Sequence, residues 1–366
     1  MSAIAGHRGQ RPSHLAEELT TVSTKRNVPG AELDKPGPEG SALTMTAVQR
    51  DRYGSADLLE VRAAARPTAT GDDVLVAVSA AGLDRGAWHV MTGQPYLMRI
   101  AGFGLRRPKN PGLGSELAGV VEAVGPDVTG LAVGDPVFGI GRAAFAEYAL
   151  ASASKLARMP ANLTYVQAAA VPVSGLTALQ ALRDKGRIRA GQSVLIIGAS
   201  GGVGTFAVQI AKAFGAEVTG VCSTAKTDLV RSLGADHVID YTAGDIDGGN
   251  RRYDLVLDIG GNRSLSTLRR MLTSNGTLVI VGGEGGGRWF GIGRQLRAIA
   301  LAPFVRQRLG TLIASENSND LDTLRAMIEG GSVTPVIDRT CSLPELPDAM
   351  RYLEAGRIRG KVVAAI

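Results

Sequence analysis

The chain has little of what several classes of protein require. It contains only two cysteines, Cys222 and Cys341, so neither a disulfide framework nor a cysteine-rich zinc ribbon is expected. It has no run of about 18 apolar residues, which a membrane span would need. The excess of positive charge is small, with 40 basic against 34 acidic residues, and it is spread along the chain. Composition therefore predicts no nucleic-acid partner, and the scarcity of cysteine favours a reducing, cytoplasmic location.

Residues 1–44 lack the regular hydrophobic spacing of the remaining chain. This stretch carries four prolines and mixed charges but no apolar core of a secretory signal, so we expect a disordered extension. Acidic residues argue against a transit peptide, among them Glu17, Glu18, Glu32 and Asp34. Regular patterning begins at Met45, which leads to the hypothesis that translation starts there.

Glycine, by contrast, is abundant, at 48 of 366 residues, and its most informative use is the turn 199–204. The turn consists of Ala199, Ser200, Gly201, Gly202, Val203 and Gly204. The β-branched run Ser193–Ile197 before it predicts a buried strand, and the residues from Gly204 onward have helical spacing. Glycines permit a sharp turn and close approach of the backbone, and a helix N-terminus attracts an anion. A strand, a glycine turn and a helix in this order predict a site for a dinucleotide pyrophosphate.

The order of elements divides the chain into two kinds of structure. Residues 45–165 show short, alternating, turn-punctuated runs, which predict an all-β module. Residues 166–304 show strands alternating with helices, as in a doubly wound parallel sheet. We expect residues 305–366 to return to the β module and to end in a strand near Lys361.

Several stretches together resemble the zinc-independent quinone oxidoreductase branch of the medium-chain dehydrogenase/reductase superfamily. They are Gly119–Phe138, Val171–Leu182, Gly198–Gly215 and Leu233–Tyr241. The resemblance covers the chain from Met45 onward. It implies an α/β fold in which a Rossmann domain, 166–304, is inserted into a GroES-like β-barrel domain, 45–165 plus 305–366. It also implies a cleft between them for nicotinamide and substrate, and a homodimer.

The residues after the second Rossmann strand favour NADPH as the cofactor. An NAD enzyme places a carboxylate there to bind the ribose hydroxyls, whereas this strand ends at Cys222 and is followed by Ser223, Thr224 and Lys226. Hydroxyls and an ammonium suit a 2′-phosphate. In the family that the chain resembles, a lysine here and a tyrosine 15 residues later flank that phosphate, and Lys226 and Tyr241 have this spacing. Two further strand ends, at Gly260 and Gly282, are expected to border the cofactor.

The zinc ligands of related alcohol dehydrogenases are missing at the matching positions. The Gly-His-Glu of those enzymes is Gly114-Ser115-Glu116 here, and the early cysteine falls in a segment without sulfur, Ala81–Asp84. A catalytic zinc needs three protein ligands, so no metal is expected. Quinones and α,β-unsaturated carbonyls accept hydride without a strong Lewis acid, and they are the expected substrates.

Candidates for the substrate side lie in Leu83–Leu97. By the resemblance, Tyr96 matches a tyrosine donor of enoyl reductases and Trp88 lines the pocket. His89 is a candidate proton donor, although a lone histidine beside a tryptophan is also compatible with simple packing. Thr177 is expected near the nicotinamide. The alternative interpretation is that it lies inside a helix and its hydroxyl bonds to the backbone of the preceding turn.

Two alternative functions remain open at the level of sequence. One is an enoyl-thioester reductase, because Arg106, Arg107 and Lys109 suit a coenzyme A phosphate. The other is an NADPH-binding sensor or interaction protein with little turnover. The basic, partly apolar segment Arg288–Arg308 is interpreted as a lid or dimer-contact helix, with a membrane surface or an acidic partner as the alternative.

Overall fold

The computed structural model describes residues 43–246, 251–282 and 293–366. Residues 1–42 of the expected extension lie outside the described residues, as do residues 288–292 of the basic segment. The described chain begins with a hairpin of β1 (Thr44–Gln49) and β2 (Glu60–Ala65). The long strand β3 (Asp73–Leu83) follows, and its apolar side chains are almost all buried. Asp84 then caps the helix α1 (Arg85–Thr92) by accepting a hydrogen bond from the amide of Ala87 at 2.7 Å.

The β module is completed by short strands that pair mostly antiparallel around β3. They are β4 (Glu116–Val124), β5 (Pro136–Ile140), β6 (Tyr148–Ser152) and β7 (Leu156–Arg158). β3 pairs with both β4 and β6, β4 pairs with β5, and β5 pairs with β7. Because β3 bonds to neighbours on both edges, it is the centre of this sheet, which explains its near-continuous apolar sequence.

Residues 165–180 form two helices rather than one. Thr164 and Gln167 form a capping box that starts α2 (Tyr165–Ala169). The next helix, α3 (Pro172–Gln180), starts at Pro172. Proline fits the first turn of a helix but cannot donate the backbone bond that an unbroken helix would need there. One π-type turn, 181–185, extends α3.

The α/β part then alternates strands and helices as the sequence predicts. Its elements are β8 (Ser193–Ile197), α4 (Gly202–Ala213), β9 (Glu217–Cys222), α5 (Thr227–Ser232), β10 (His237–Asp240), β11 (Tyr253–Asp258), α6 (Leu265–Arg270), β12 (Leu272–Ile280), α7 (Gly293–Leu301) and β13 (Arg308–Thr311). Among the described residues the sheet order is β10-β9-β8-β11-β12-β13, and every pairing is parallel. This is the strand order of the Rossmann fold, with the first strand in the middle.

The structure corrects one predicted boundary. The sequence placed everything after residue 304 with the β module, but β13 pairs with β12 and so belongs to the parallel sheet. β13 has only four residues, and their apolar and polar side chains do not alternate with a clear period. Such a short pattern does not predict an edge strand.

The chain returns to the β module after β13. The last elements are α8 (Ser318–Glu329), β14 (Ile337–Cys341), α9 (Leu346–Glu354) and β15 (Lys361–Ala365). α8 packs against α3 and β7, so it contacts both parts of the chain. β15 pairs antiparallel with β3 and parallel with β14. Within the described ranges, no helix is long and apolar enough to cross a membrane.

Candidate functional site

The glycine turn after β8 leads directly into the start of α4. Gly201 is the N-cap of α4, and no side chain caps the first amides of this helix. These amides, with the helix dipole behind them, are available to a negatively charged group. A Cβ on Gly204 would lie 2.1 Å from the carbonyl oxygen of Gly198, so the backbone can pack this closely only with glycine at this position.

The C-terminal segment 356–361 bonds to the glycine turn and packs against it. The amide of Gly360 donates to the carbonyl of Ser200 at 2.9 Å, and Gly360 forms a parallel bridge with Gly201. Lys361, which is 2% exposed, packs its aliphatic stem beneath Gly202. The sequence predicted a strand here, but not that the strand would hold the glycine turn.

The residues predicted for the 2′-phosphate gather at the end of β9. Lys226 lies half-buried and donates from Nζ to the carbonyls of Gly356 and Ile358, at 3.2 and 2.7 Å. Burial lowers the pKa of Lys226, and the positive charge of Arg359 lowers it further. Two cations close enough to repel each other favour a phosphate between them. Tyr241 is 49% exposed, and its amide bonds to the carbonyl of Cys222, the last residue of β9, at 3.1 Å.

A carboxylate that the sequence argument missed also lies here. Residues 222–226 contain no acid, but Asp240 at the end of the neighbouring strand β10 accepts a hydrogen bond from the hydroxyl of Thr224. Bonds from Thr224 and Thr242 lower the pKa of Asp240, so this group is ionised at neutral pH. Parallel strands end at the same edge of the sheet, and this rule would have placed Asp240 next to Thr224.

The strand ends at Gly260 and Gly282 lie on the other side of the glycine turn. The amide of Gly260 bonds to the carbonyl of Ile197 at 3.1 Å, and the amide of Gly282 bonds to that of Asp258 at 3.2 Å. A Cβ on Gly282 would lie 2.0 Å from the carbonyl oxygen of Ile259. We call residues 198–204, 222–226, 258–260 and 282 the cofactor edge. The structure brings all the predicted cofactor residues except Tyr241 into this edge, and Tyr241 directly beside it.

The substrate-side candidates lie on α1 and the segment that follows, and we call residues 84–109 the α1 wall. The rings of Trp88 and His89 are 5.1 Å apart, edge to face. Trp88 packs partly against the core of the β module, and its indole nitrogen is buried with no hydrogen-bond partner among the described residues. The guanidinium of Arg99 covers the ring of Tyr96 at 4.7 Å.

Hydrogen bonds limit what His89 and Thr177 can do. Nδ1 of His89 lies 2.7 Å from the carbonyl of Gln94, and because a carbonyl only accepts, this nitrogen carries the proton of the neutral ring. The hydroxyl of Thr177 donates to the carbonyl of Val173 at 2.6 Å. Thr177 therefore bonds to the preceding turn of its own helix, as the alternative interpretation predicted. Thr177 can therefore accept a further hydrogen bond but has no proton left to donate.

A buried ion pair of Glu116 and Lys361 lies at the start of β4, directly after Ser115. Glu116 is fully buried, and it accepts hydrogen bonds from Nζ of Lys361 and, at 2.8 Å, from the amide of Val173. Burial raises the pKa of Glu116 to about 7, against the opposing effect of Lys361. No group of three or more histidine, cysteine or acidic side chains suited to a metal occurs in the part of the chain that the structure describes.

The fold and the cofactor edge together define a dinucleotide-binding oxidoreductase, and comparisons with known proteins agree. Two family models match: an alcohol dehydrogenase GroES-like domain over residues 70–161, and a zinc-binding dehydrogenase over residues 233–363. The mitochondrial NAD(P)H oxidoreductase RTN4IP1 of Mus musculus is 35% identical over 279 residues, which cover 69% of this chain and 70% of that protein.

Solved structures extend the likeness over most of the chain. The quinone oxidoreductase from Coxiella burnetii superposes with a TM-score of 0.79 at 28% identity, covering 88% of this chain and all of that one. A mycobacterial protein solved in complex with NADPH superposes with a TM-score of 0.73 at 25% identity, over 88% and 100% of the two chains. The chain belongs to the medium-chain dehydrogenase/reductase superfamily, in its quinone-oxidoreductase-like branch. The expected fold class, a Rossmann domain inserted into a GroES-like module, is confirmed.

Proposed function

We propose that the chain is an NADPH-dependent, zinc-independent oxidoreductase that reduces a quinone or an α,β-unsaturated carbonyl compound. The observation that carries this proposal is the continuous cofactor edge. Uncapped amides of α4 would bind the pyrophosphate, and the cations Lys226 and Arg359 would bind the 2′-phosphate. Bound NADPH supplies the hydride. The NADPH complex of the mycobacterial neighbour supports the choice of cofactor.

The chain's own residues would bind and orient the reactants. Lys226 would exchange its bonds to the carbonyls of Gly356 and Ile358 for bonds to the phosphate. Thr177 would accept a hydrogen bond from the carboxamide of the nicotinamide, since its own proton is already donated. Tyr96 remains the proposed donor to the oxygen of the acceptor. In the neutral ring His89 holds its proton on Nδ1 against Gln94, so it would need to be charged to donate from Nε2.

The test is the rate of cofactor oxidation by the purified protein across quinones, enones and enals, with NADPH and NADH in parallel and with and without a chelator. The proposal predicts a much lower KM for NADPH than for NADH and no effect of chelation. Equal use of NADH would refute the NADPH assignment. A loss of rate on chelation would refute zinc independence.

An enoyl-thioester reductase is the second candidate, and one observation favours it. Between Arg85 and Ser115 the chain has five arginines or lysines and no acidic residue, and Arg106, Arg107 and Lys109 are exposed. An anionic carrier such as coenzyme A would meet favourable charge on this surface. A higher kcat/KM for crotonyl-coenzyme A than for any quinone would select this candidate.

The third candidate is an NADPH-binding protein with little turnover. Tight NADPH binding without oxidation across the whole panel would select it. The proposal also includes a homodimer, and light scattering at the concentrations used for the assays would test that expectation.

A further inference from the structure

A buried ion pair joins the strand ends on the nicotinamide side of the cofactor edge. Asp258, the last residue of β11, is 0% exposed. Arg294 reaches it from the first turn of α7, and Nη1 of Arg294 lies 2.9 Å from Oδ2 of Asp258. The contact is an ion pair rather than a well-aligned hydrogen bond, because Oδ2 has no hydrogen-bond partner that meets the angular requirements among the described residues.

The same guanidinium makes its hydrogen bonds to two backbone carbonyls. Nη1 donates to the carbonyl of Arg263 at 3.1 Å, and Nη2 donates to that of Gly282 at 2.9 Å. Oδ1 of Asp258 accepts from the amide of Gly261 at 3.2 Å. Asp258 and Arg294 therefore connect the end of β11, the loop after it, the end of β12 and the start of α7.

The electrostatics make this connection specific to arginine. Burial raises the pKa of Asp258, and Arg294 is the largest influence that opposes this rise. A neutral side chain at position 294 would leave the buried carboxylate with only the weaker influence of the Arg263 charge. It would also release the carbonyl of Gly282, because only the planar fork of arginine serves both carbonyls and the carboxylate at once.

The location of this pair indicates what it does. In a Rossmann sheet the dinucleotide crosses the carboxyl ends of the strands, from the second strand to the fourth and fifth. β9 with Lys226 is the second strand, and β11 and β12 are the fourth and fifth. The 2′-phosphate end and the Asp258–Arg294 pair thus lie on opposite sides of the glycine turn.

We propose that Asp258 and Arg294 are positioning residues for the nicotinamide half of the cofactor. They act through the backbone at Gly261 and Gly282, to which their side chains hydrogen-bond, and neither needs to touch the cofactor. The inference rests on the proposed function, because it requires that NADPH binds along the cofactor edge. It adds that the two halves of the site depend on different side chains.

The experiment measures the affinity of two probes for each variant by titration calorimetry. One probe is NADPH, and the other is adenosine 2′,5′-bisphosphate, which has the 2′-phosphate but no nicotinamide. In Arg294→Gln we expect affinity for NADPH to fall about tenfold or more while affinity for the bisphosphate stays within about twofold, since misplacement of a positioning group is costly only where it acts. Arg294→Lys, which keeps the charge but not the fork, should fall between the parent protein and Arg294→Gln.

Arg297→Gln is the matched control, since Arg297 is an exposed arginine on the same helix. It should leave both affinities unchanged. Equal loss of both probes in Arg294→Gln and Arg294→Lys would mean a general structural role and overturn the inference, and so would loss of neither. If the parent protein binds the bisphosphate but not NADPH, or binds neither, the proposed function itself fails.

Discussion

The cofactor edge and the α1 wall are built in different ways. The cofactor edge is made largely of backbone: uncapped amides at the start of α4, glycines at which a Cβ would lie 2.1 Å or less from a carbonyl oxygen, and strand ends whose order fixes their neighbours. The α1 wall depends on side chains, such as Trp88 and Tyr96, and on a cationic surface beyond them. Backbone geometry follows from the fold and tolerates no side chain at the closely packed glycines Gly204 and Gly282. A surface of exposed side chains can change its substrate without a change of fold.

The sharpest test of the backbone site is Gly204→Ala. The new Cβ would overlap the carbonyl of Gly198, so the turn must open and NADPH binding should be lost, with a lower melting temperature. Gly310→Ala is the control, because a Cβ there lies 3.7 Å from its nearest neighbour and Gly310 lies on β13, outside the cofactor edge. Fluorescence titration with NADPH and thermal unfolding of both variants make the comparison. Unimpaired binding in Gly204→Ala would contradict the packing argument.

Lys361→Met tests the ion pair beneath the cofactor edge. The variant leaves Glu116 buried without its counter-charge, which should cost about 3–5 kcal/mol in the free energy of unfolding. The surface pair of Lys155 and Glu316 is the control, because both side chains are about 40% exposed, at 42% and 41%. Lys155→Met should cost less than about 1 kcal/mol. Urea denaturation measures both, and equal costs would mean that burial does not govern the pair.

The same pair gives a prediction for pH. The pKa of Glu116 is raised to about 7 in the folded protein, above the ordinary carboxyl value of 4.5 that holds for the unfolded chain. The folded state therefore binds its proton more tightly, and Glu116 costs stability as pH rises from about 4.5 through 7. Glu116→Gln should gain in stability relative to the parent protein over that range. Glu345→Gln should show the opposite trend below that range, losing relative stability as pH rises towards 4.5 and staying level above it, since hydrogen bonds from Ser342 lower the pKa of Glu345. A pH-independent difference for Glu116→Gln would refute the assignment.

Lys226→Ala tests whether a side chain gives the site, which is built largely of backbone, its preference for NADPH over NADH. The ratio of kcat/KM for NADPH over NADH should fall about tenfold or more, because a charge-assisted bond to the 2′-phosphate is lost and NADH has no such group. Lys212→Ala, which breaks a pair with Asp236 at the opposite end of β9, should leave the ratio unchanged. An unchanged ratio in Lys226→Ala would move the 2′-phosphate site elsewhere.

The smallest effect is expected on the α1 wall. Replacing Arg106 and Arg107 together by glutamine should raise the KM for crotonyl-coenzyme A about threefold and leave the KM for a quinone unchanged, because exposed charges are screened by salt. Arg142→Gln, another exposed arginine of the β module, is the control. An equal rise for both substrates would show that these residues shape the wall rather than attract a carrier.

The sequence could predict the features that local backbone patterns form, but not those that join residues distant along the chain. The glycine turn and the strands on either side of it were predictable, because the pattern and the structure it forms are local. The pairing of Glu116 with Lys361 joins residues 245 positions apart. Each of these two residues is a charge within a largely apolar strand. This context indicates that each needs a partner, but it does not identify the partner. Asp240 and Arg294 were missed for the same reason, since their roles depend on which strand ends become neighbours. β13 was misplaced because an edge strand of four residues has no distinctive period.

Because the segment 356–361 comes late in the chain, it affects the order in which the site is assembled during synthesis. It supplies the carbonyls that hold Lys226, the amide that bonds to Ser200, and the ammonium that pairs with Glu116. A ribosome produces these residues only after the whole parallel sheet has been translated. The glycine turn therefore exists on the nascent chain before its support does. A cofactor that requires both would be captured late in synthesis, when β15 inserts beside β3.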